Sequence, residues 1–413
     1  MAGILTSYTL RVMDVLSRFP QLFDSVLDRF ISRRPGLAAN TVRYGWMLLA
    51  ALAILLLAVG AVTGRERSQE IIYATEDGSV VSLEPESGEV TEIYDGSPDE
   101  YATSVTRTGG SRSTSFTVLR GDGGRLRGDL YSADLVRNTR ALTQRAEPGE
   151  VLADSSFSGD RTWLLASRYS AGSPANALVL PASGVTQRLL EPDLPGAVPV
   201  LGPVWGAENT AYAWRLGPDG LTLTAYNFFE RRQATVYETE KKVGTPYYYF
   251  DSNTLVFDER PQGADLSESR VKLLVGTGEI PLSGAEDLGL YDPAPIVPEL
   301  DDALPVMWTD GKKTGVGLIN SKDWSFSKTG ITVETGSRNP RVSRDGAYVA
   351  TTNPDGTVLT VRRMGDGSVV RRVEDLQKPG VALDRMREAG FGPPREAGWF
   401  ASENFSWRSL DDD

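Results

Sequence analysis

The sequence predicts an all-β domain built from repeated four-stranded units, preceded by an amphipathic helical arm and a single apolar helix. Three observations support this prediction. From about residue 71 onward, short alternating runs of apolar and polar residues are separated by Gly, Asp, Asn and Ser turns, which is typical of an all-β domain. Residues 45–63 contain no charge, and apolar residues recur at helical spacing between residues 12 and 30.

Composition excludes several kinds of chemistry. The chain has 413 residues, with no Cys and no His, so it has no disulfide, no Cys/His zinc site and no Ser-His-Asp triad. Residues 1–67 carry a net charge of +4, and because the total is −12, the remainder carries −16. An acidic domain argues against binding to nucleic acid, since phosphate contacts need a basic surface. We therefore expect no nucleic acid partner, no cofactor and no enzymatic activity.

Residues 44–63 are predicted to form a single transmembrane helix. The uncharged run GWMLLAALAILLLAVGAVT has 19 residues, and at 1.5 Å per residue it spans most of a hydrocarbon core about 30 Å thick. Tyr44 and Trp46 lie at one edge, where aromatic side chains favour the headgroup region, and Arg43 and Arg65 flank the run. A buried soluble helix is the alternative, and a cleaved signal peptide fits less well because 43 residues precede the apolar run.

Arginine is more frequent before this segment than after it, which predicts the orientation of the chain. Four arginines precede the segment closely and two follow it: Arg29, Arg33, Arg34, Arg43, Arg65 and Arg67. By the positive-inside rule, we expect residues 1–43 in the cytoplasm and residue 64 onward outside it, in the periplasm of a bacterial cell envelope.

The cytoplasmic arm is expected to contact a partner or the lipid. Its apolar residues recur at the i, i+3, i+4 spacing of an amphipathic helix, and they are Val12, Val15, Leu16, Phe19, Leu22, Phe23, Val26, Leu27 and Phe30. Pro20 interrupts this pattern, so two helices are expected rather than one. So few residues form no core of their own. The apolar side is therefore expected to contact inner-leaflet lipid or an integral membrane protein, and a partly disordered arm is the remaining alternative.

Seven repeated units are predicted after the linker 64–70. They start near residues 71, 103, 154, 203, 247, 303 and 341 and are roughly 40–50 residues long. In the better-preserved units a first strand ends in a turn such as FSGDRTW or VSRDGAYVA, and an apolar strand and an alternating strand follow. The last strand is more polar, as expected for an outer edge that must resist pairing with other chains.

This period and strand content resemble β-propellers of the WD40 or TolB-like kind, and IIYATEDGSVVSLEPESGEV also resembles pyrroloquinoline-quinone-type propeller repeats. The resemblance implies a seven-bladed β-propeller over residues 71–410. The first unit has three evident strands, so residues 399–409 are expected to supply the fourth and close the ring. A pair of β-sandwiches or an irregular β-solenoid is the alternative. One short helix is expected over residues 376–389, ending at Gly390 on one face of the ring.

No catalytic motif emerges from the sequence. Residues 156–163 resemble the Asp-box turn of sialidase-like propellers, but Asp and Gly are transposed, so we interpret them as a plain turn. The acidic clusters at 95–100, 299–302 and 411–413 lack the alternating spacing of a calcium loop and are interpreted as solvated segments. Several aromatic residues are expected to pack between units rather than to bind partners: Tyr247, Tyr248, Tyr249, Phe250, Trp308, Trp324, Phe326, Trp399, Phe405 and Trp407.

These features predict a non-catalytic single-pass membrane protein. Its exported propeller is expected to be an interaction platform and an accessory subunit of a larger complex of integral membrane proteins. One alternative is an envelope sensor that binds a sugar, peptide or metal and signals through the transmembrane helix. A propeller enzyme of the cell envelope is the third possibility.

Overall fold

The described part of the chain is a β-propeller whose strands lie in six sheets. The computed structural model describes residues 69–409, apart from residues 98, 104, 106–112, 135–138, 159–162, 171–172, 182–199, 208–209, 218–219, 228–229, 231, 250–251, 296, 298–299, 379–380 and 392–404. The predicted arm, transmembrane segment and linker therefore lie outside the described residues, except for the end of the linker. Within the described residues, no helix is both long and apolar enough to cross a membrane.

The first sheet combines the beginning and the end of the described chain. Its strands, in spatial order, are β28 (Phe405–Ser409), β1 (Gln69–Ala74), β2 (Val80–Leu83) and β3 (Val90–Tyr94). β28 runs antiparallel to β1, with Gln69 opposite Ser409 and Tyr73 opposite Phe405. The C-terminal strand thus gives the three-stranded first unit its fourth strand.

The next sheet, which we call the merged sheet, contains two of the predicted units. It consists of β4 (Glu100–Thr103), β5 (Ser113–Asp122), β6 (Arg125–Asp134), β7 (Thr139–Gln144), β8 (Glu150–Phe157), β9 (Trp163–Ser170) and β10 (Ser173–Pro181). One parallel pairing, between Gly128 of β6 and Val151 of β8, joins the two halves. A Cβ added to Gly128 would lie 2.6 Å from Cγ1 of Val151. The expected count of seven blades is therefore wrong: the described strands form six sheets, because a glycine lets two units approach closely enough to pair.

Four further sheets follow along the chain. The third sheet is β11 (Val200–Trp205), β12 (Thr210–Gly217), β13 (Gly220–Asn227) and β14 (Arg232–Thr239). The fourth is β15 (Lys242–Val243), β16 (Tyr247–Tyr249), β17 (Thr254–Arg260), β18 (Arg270–Val275) and β19 (Gly278–Glu279), with a 3₁₀ turn at Leu266–Glu268. The fifth is β20 (Gly289–Tyr291), β21 (Ala303–Thr309), β22 (Thr314–Asn320) and β23 (Phe326–Val333). The sixth is β24 (Arg338–Val342), β25 (Tyr348–Thr352), β26 (Leu359–Arg363) and β27 (Val369–Val373).

The core lies between neighbouring sheets, because the inner strands are buried on both faces. Along β1, Ile71 and Tyr73 pack with Leu359 of the sixth sheet, whereas Ile72 packs with Phe116 of the merged sheet. The two-residue period of a strand places alternate side chains on opposite faces. Both faces must therefore be apolar, which accounts for runs such as IIYA. Outer strands such as β14 are largely exposed.

A short helix, α1 (Val381–Glu388), follows the sixth sheet. It begins later than expected, because Leu376 forms a bridge with Thr75 of the first sheet instead. Gly390, with φ of 84°, lies just beyond the end of the helix, a position that favours glycine. The side chain of Met386 is buried against the merged sheet with Tyr101.

The segment before α1 connects the end of the sixth sheet to the first sheet and to the merged sheet. The backbone N–H of Gln377 donates to the carbonyl of Ala74 at 2.9 Å. Its side-chain Nε2 donates to the carbonyl of Ala102 at 2.8 Å. Ring closure therefore uses two segments, residues 375–377 and β28.

Candidate functional site

A cluster of buried charged groups lies where the fourth, fifth and sixth sheets meet. We call Asp258, Asp292 and Arg338 the junction cluster. Asp258 belongs to β17, Asp292 follows β20 directly, and Arg338 begins β24. The exposed fractions of Asp258 and Asp292 are 1% and 8%, so both carboxyl groups are withdrawn from water. Acidic residues are rarely buried to this degree without a partner, which makes the cluster the strongest candidate site in the described residues.

Alternation along β17 determines which way Asp258 points. Val256 packs with Leu290 and Leu304 of the fifth sheet, whereas Phe257 packs with Trp214 of the third sheet. Because side chains two residues apart share a face of a strand, Asp258 shares the face of Val256. It is therefore directed towards the fifth sheet, where Asp292 lies.

Arg338 and Asp292 form a two-pronged ion pair between the sixth and fifth sheets. Nε of Arg338 donates to Oδ2 of Asp292 at 2.9 Å, and Nη2 donates to Oδ1 at 2.7 Å. The backbone N–H of Asn339 also donates to Oδ2 at 3.0 Å. The planar guanidinium matches the carboxylate geometry, and such bidentate pairs are among the stronger hydrogen-bonded contacts in proteins. Asp292 is therefore well stabilised in its ionised form.

Asp258 has a different environment. Its Oδ2 is buried and has no hydrogen-bond partner among the described residues. Burial, and then the nearby negative charge of Asp292, raise the pKa of Asp258 to about 7. The charge of Arg338 and hydrogen bonds from the backbones of Asp258 and Asp292 act in the opposite direction. The protonated form of Asp258 is accordingly present near neutral pH.

The pKa of Asp292 shifts the other way. Burial acts to raise it, but the charge and hydrogen bonds of Arg338 and the N–H of Asn339 outweigh burial and lower the pKa of Asp292. Two carboxyl groups in one buried site rarely both ionise. The structure resolves this conflict by giving three hydrogen-bond donors to Asp292 and leaving the proton with Asp258.

Two residues of this region have an unusual backbone conformation. Asp292 has φ of 48° and Asn339 has φ of 52°, in the left-handed region that non-glycine residues seldom adopt, although Asp and Asn tolerate it best. The backbone N–H of Asn339 donates a hydrogen bond to the side-chain carboxylate of Asp292. Strained residues of this kind concentrate at functional sites, which supports the choice of this cluster.

A layer of tyrosines and one arginine lies beside the junction cluster, on β16, β20 and β24 of three different sheets. Nη2 of Arg341 donates to the hydroxyl of Tyr247 at 2.6 Å. The hydroxyl of Tyr249 donates to the carbonyl of Ala294 at 2.7 Å. The hydroxyl of Tyr291 donates to a carbonyl of residue 337 at 2.9 Å. Burial raises the pKa of Tyr249 and of Tyr291 well above the usual value, so these two tyrosines act as neutral hydrogen-bonding groups.

The chemistry open to the junction cluster is the binding of a proton. The described residues include no group of three or more carboxylates close enough together to hold a metal ion. A buried carboxyl group with a pKa near neutrality gains and loses a proton within the physiological range.

The partner-contacting residues expected in the arm, Val12 to Phe30, lie outside the described residues, as do the expected membrane anchors Arg43, Tyr44, Trp46 and Arg65.

The turn at Ser158 is described in part. Its hydroxyl accepts from the backbone N–H of Trp163 at 3.0 Å, and the hydroxyl of Ser343 accepts from the N–H of Tyr348 at 2.9 Å in the corresponding turn of the sixth sheet. Such contacts stabilise turns between strands.

Most of the described aromatic residues pack within the fold. Tyr247, Tyr249, Trp308 and Phe326 are buried in one core cluster, with Trp324 half-buried against it. Trp399 lies outside the described residues, and the side chains of Phe405 and Trp407 are likewise not described.

Sequence reasoning did not find the junction cluster. Its members are separated along the chain and lie on three different sheets, so no local spacing reveals them. The available signal was an acidic residue inside the apolar strand TLVFDER, where alternation places it on the same face as Val256. A buried carboxyl group in such a strand needs a compensating partner from elsewhere in the fold.

Comparison with known proteins assigns no family, because no family model and no curated protein matches the chain. Among solved structures, a puromycin-hydrolysing peptidase of Mycobacterium tuberculosis is 16% identical with a TM-score of 0.49, covering 76% of this chain and 53% of the peptidase. The chain thus spans about half the length of that enzyme. A periplasmic gluconolactonase of Pseudomonas aeruginosa is 16% identical with a TM-score of 0.47, covering 75% of this chain and 97% of the lactonase. TolB of Acinetobacter baumannii is 13% identical with a TM-score of 0.44, covering 85% of this chain and 69% of TolB.

These structures correct one expectation from the sequence. From the propeller fold and the missing catalytic residue types we expected no enzymatic activity. That inference is wrong, because structures similar to this chain include a peptidase, a lactonase and an oligogalacturonate lyase. At this level of identity the likeness concerns the fold alone. It assigns no substrate and no catalytic residue to this chain.

Proposed function

We propose that the chain is a single-pass membrane protein whose β-propeller serves as an interaction platform and accessory subunit of a larger membrane protein complex. The observation that carries this proposal is the arm 1–43. Its apolar residues recur at helical spacing next to the uncharged segment 45–63. An amphipathic segment too short to form its own core gains stability from lipid or from a partner helix.

The propeller supports this proposal because it completes its own fold. β28 occupies the free edge of β1, so the first sheet does not need the arm as an additional strand. The apolar residues of the arm therefore remain available for an external partner. The arginine distribution around 45–63 places the propeller outside the cytoplasm in this proposal.

The test is purification of the tagged full-length protein from its native host in mild detergent, with mass spectrometry of the co-purifying proteins. We expect integral membrane proteins in stoichiometric amounts. A variant with Leu16→Ser, Phe23→Ser and Leu27→Ser on the apolar side of the arm should lose them. A matched control with Ser17→Ala and Ser25→Ala should retain them. Recovery of the wild-type protein as a lone monomer contradicts the proposal.

A second candidate function is that of an envelope sensor that binds a small ligand and signals through the transmembrane helix. The junction cluster favours this candidate, since its three residues belong to three sheets that a bound species would affect together. A thermal-unfolding screen of the full-length protein against sugars, peptides and divalent cations tests it. A stabilisation that Asp258→Asn abolishes supports the sensor, and the absence of any stabilisation contradicts it.

A further inference from the structure

We propose that Asp258 and Asp292 form a proton-binding site that controls how firmly the fourth, fifth and sixth sheets are held together. This inference goes beyond the proposed function, because it depends neither on a membrane nor on a partner protein. It concerns three described sheets and the one buried carboxyl oxygen that they leave without a hydrogen-bond donor.

The first argument is the unequal distribution of donors. Asp292 receives two hydrogen bonds from Arg338 and one from the backbone of Asn339, all between 2.7 and 3.0 Å. Oδ2 of Asp258 receives none from the described residues. An unsatisfied carboxylate oxygen in a buried site is costly, whereas a protonated carboxyl group carries no net charge. The geometry therefore places the bound proton on Asp258.

The second argument is the set of groups around Asp258. They come from its own sheet, from the loop after β17, from β20 and from β24. The groups that interact with Asp258 directly are Arg260, Tyr291, Asp292 and Arg338. Beyond them, Asp265 acts on Arg260, and Arg341 acts on Asp292.

These surroundings favour a proton over a metal cation. Arg338 is already held by Asp292, and burial together with the positive charge of Arg338 lowers the pKa of Arg260. The cationic groups around Asp258 thus already repel one another. A divalent cation would add to this repulsion. A proton on Asp258 instead removes a negative charge, which the neighbouring Asp292 makes unfavourable.

Loss of the proton changes the balance of the junction. An ionised Asp258 is a second buried carboxylate beside Asp292, and it competes for Arg338, whose Nε and Nη2 already bind Asp292. Because Asp258, Asp292 and Arg338 come from three sheets, this competition weakens contacts between sheets rather than within one sheet. Proton uptake tightens the junction, and proton release loosens it.

The direction of the pH dependence follows from linkage. The pKa of Asp258 is raised from 3.8 to about 7, so over this interval the folded junction holds a proton that the opened state has released. Stability of the junction is therefore greatest at the acidic end of the interval. It falls as pH rises towards the folded-state value and then levels off.

Hydrogen exchange with mass spectrometry on the full-length protein in detergent tests the proposal. After correction for intrinsic exchange rates, we expect protection of β17, β20 and β24 to fall roughly tenfold to a hundredfold between about pH 5 and about pH 8. The first sheet should keep its protection over the same range. In Asp258→Asn, the junction strands should lose this pH dependence.

The matched control is Asp366→Asn. Asp366 is exposed, and its hydrogen bonds with Ser368 lower the pKa of its carboxyl group, so it titrates below the tested range and the variant should behave as wild type. Infrared spectroscopy of the wild-type protein at about pH 6, below the raised pKa of Asp258, gives a second measurement. It should show the carbonyl stretch of one protonated carboxyl group even if Asp258→Asn fails to fold. Protection of the junction that is independent of pH in wild type overturns the proposal. Restoration of protection by Ca²⁺ or Mg²⁺ alone at high pH overturns it in favour of a metal site.

Discussion

Arg338 and Arg363 both pair with a carboxylate, but burial gives the two pairs different importance. The side chains of Arg338 and Asp292 are 23% and 6% exposed, whereas those of Arg363 and Glu86 are 49% and 45% exposed. Water and salt screen an exposed pair, and its net contribution to stability is small. A buried pair that loses one partner leaves the other as an uncompensated charge.

We predict that Arg338→Ala lowers the free energy of unfolding by about 3 kcal/mol, because Asp292 then remains buried without its guanidinium. Arg338→Lys should fall between this variant and wild type, since an ammonium group does not reproduce the bidentate geometry. Arg363→Ala is the control and should unfold close to wild type, because solvent screens its exposed pair with Glu86. Urea unfolding at neutral pH measures all three, and equal losses for the two alanine variants would contradict the assignment.

Among the sheets, the merged sheet shows how a single glycine changes the architecture. Gly128 and Val151 approach so closely that any side chain at Gly128 would meet Val151 and Leu119, at 2.6 and 3.0 Å. This approach allows the only pairing between the two halves of the sheet among the described residues. Two units that would otherwise be separate blades thereby share one hydrogen-bonded sheet.

We predict that Gly128→Ala destabilises the protein by about 1–3 kcal/mol, because the added methyl group forces β6 and β8 apart. Gly121→Ala is the matched control within the same sheet, since a Cβ there would meet no atom within 4 Å. Its unfolding free energy should equal that of wild type or exceed it slightly, through a less flexible unfolded chain. If both variants unfold alike in urea, close packing at Gly128 is not what joins the halves.

The sequence predicted the strands well, because each strand is specified by local alternation and turn residues. The stretch RVSRDGAYVATTNPDGTVLTVRRMGDGSVVRRV predicts strands that the structure contains as β24–β27. It did not predict β20, a three-residue strand whose role depends on its pairing with β21. The contact between Gly128 and Val151 and the junction cluster were equally out of reach, since both depend on residues that only the folded chain brings together.

For the molecule as a whole, stability depends on closure of the ring. Pairing of β28 with β1 and the bonds of Gln377 to Ala74 and Ala102 join the last described segments to the first two sheets. Each remaining sheet packs mainly on its neighbours, as in other repeat architectures. A ring that is not closed would expose the backbone edge of β1, and such edges pair with other chains.

We predict that deletion of residues 399–413 lowers the midpoint of thermal unfolding and causes self-association, because the edge of β1 becomes free. Deletion of residues 411–413 alone removes only the acidic tail beyond β28 and is the control. Size-exclusion chromatography with light scattering, in detergent, should show aggregates for the longer deletion and the wild-type state for the control. A monodisperse longer deletion with an unchanged unfolding midpoint would show that β28 is dispensable.

The position of β28 also matters while the chain is being made. The ribosome synthesises β1 long before it reaches residues 405–409, so the nascent chain carries an unpaired strand edge for nearly the whole of the propeller's synthesis. Contacts between such distant residues form slowly, and exposed edges during this interval favour aggregation. The edge of β1 that β28 covers in the folded protein is therefore the edge through which the growing chain is most exposed to pairing with other chains.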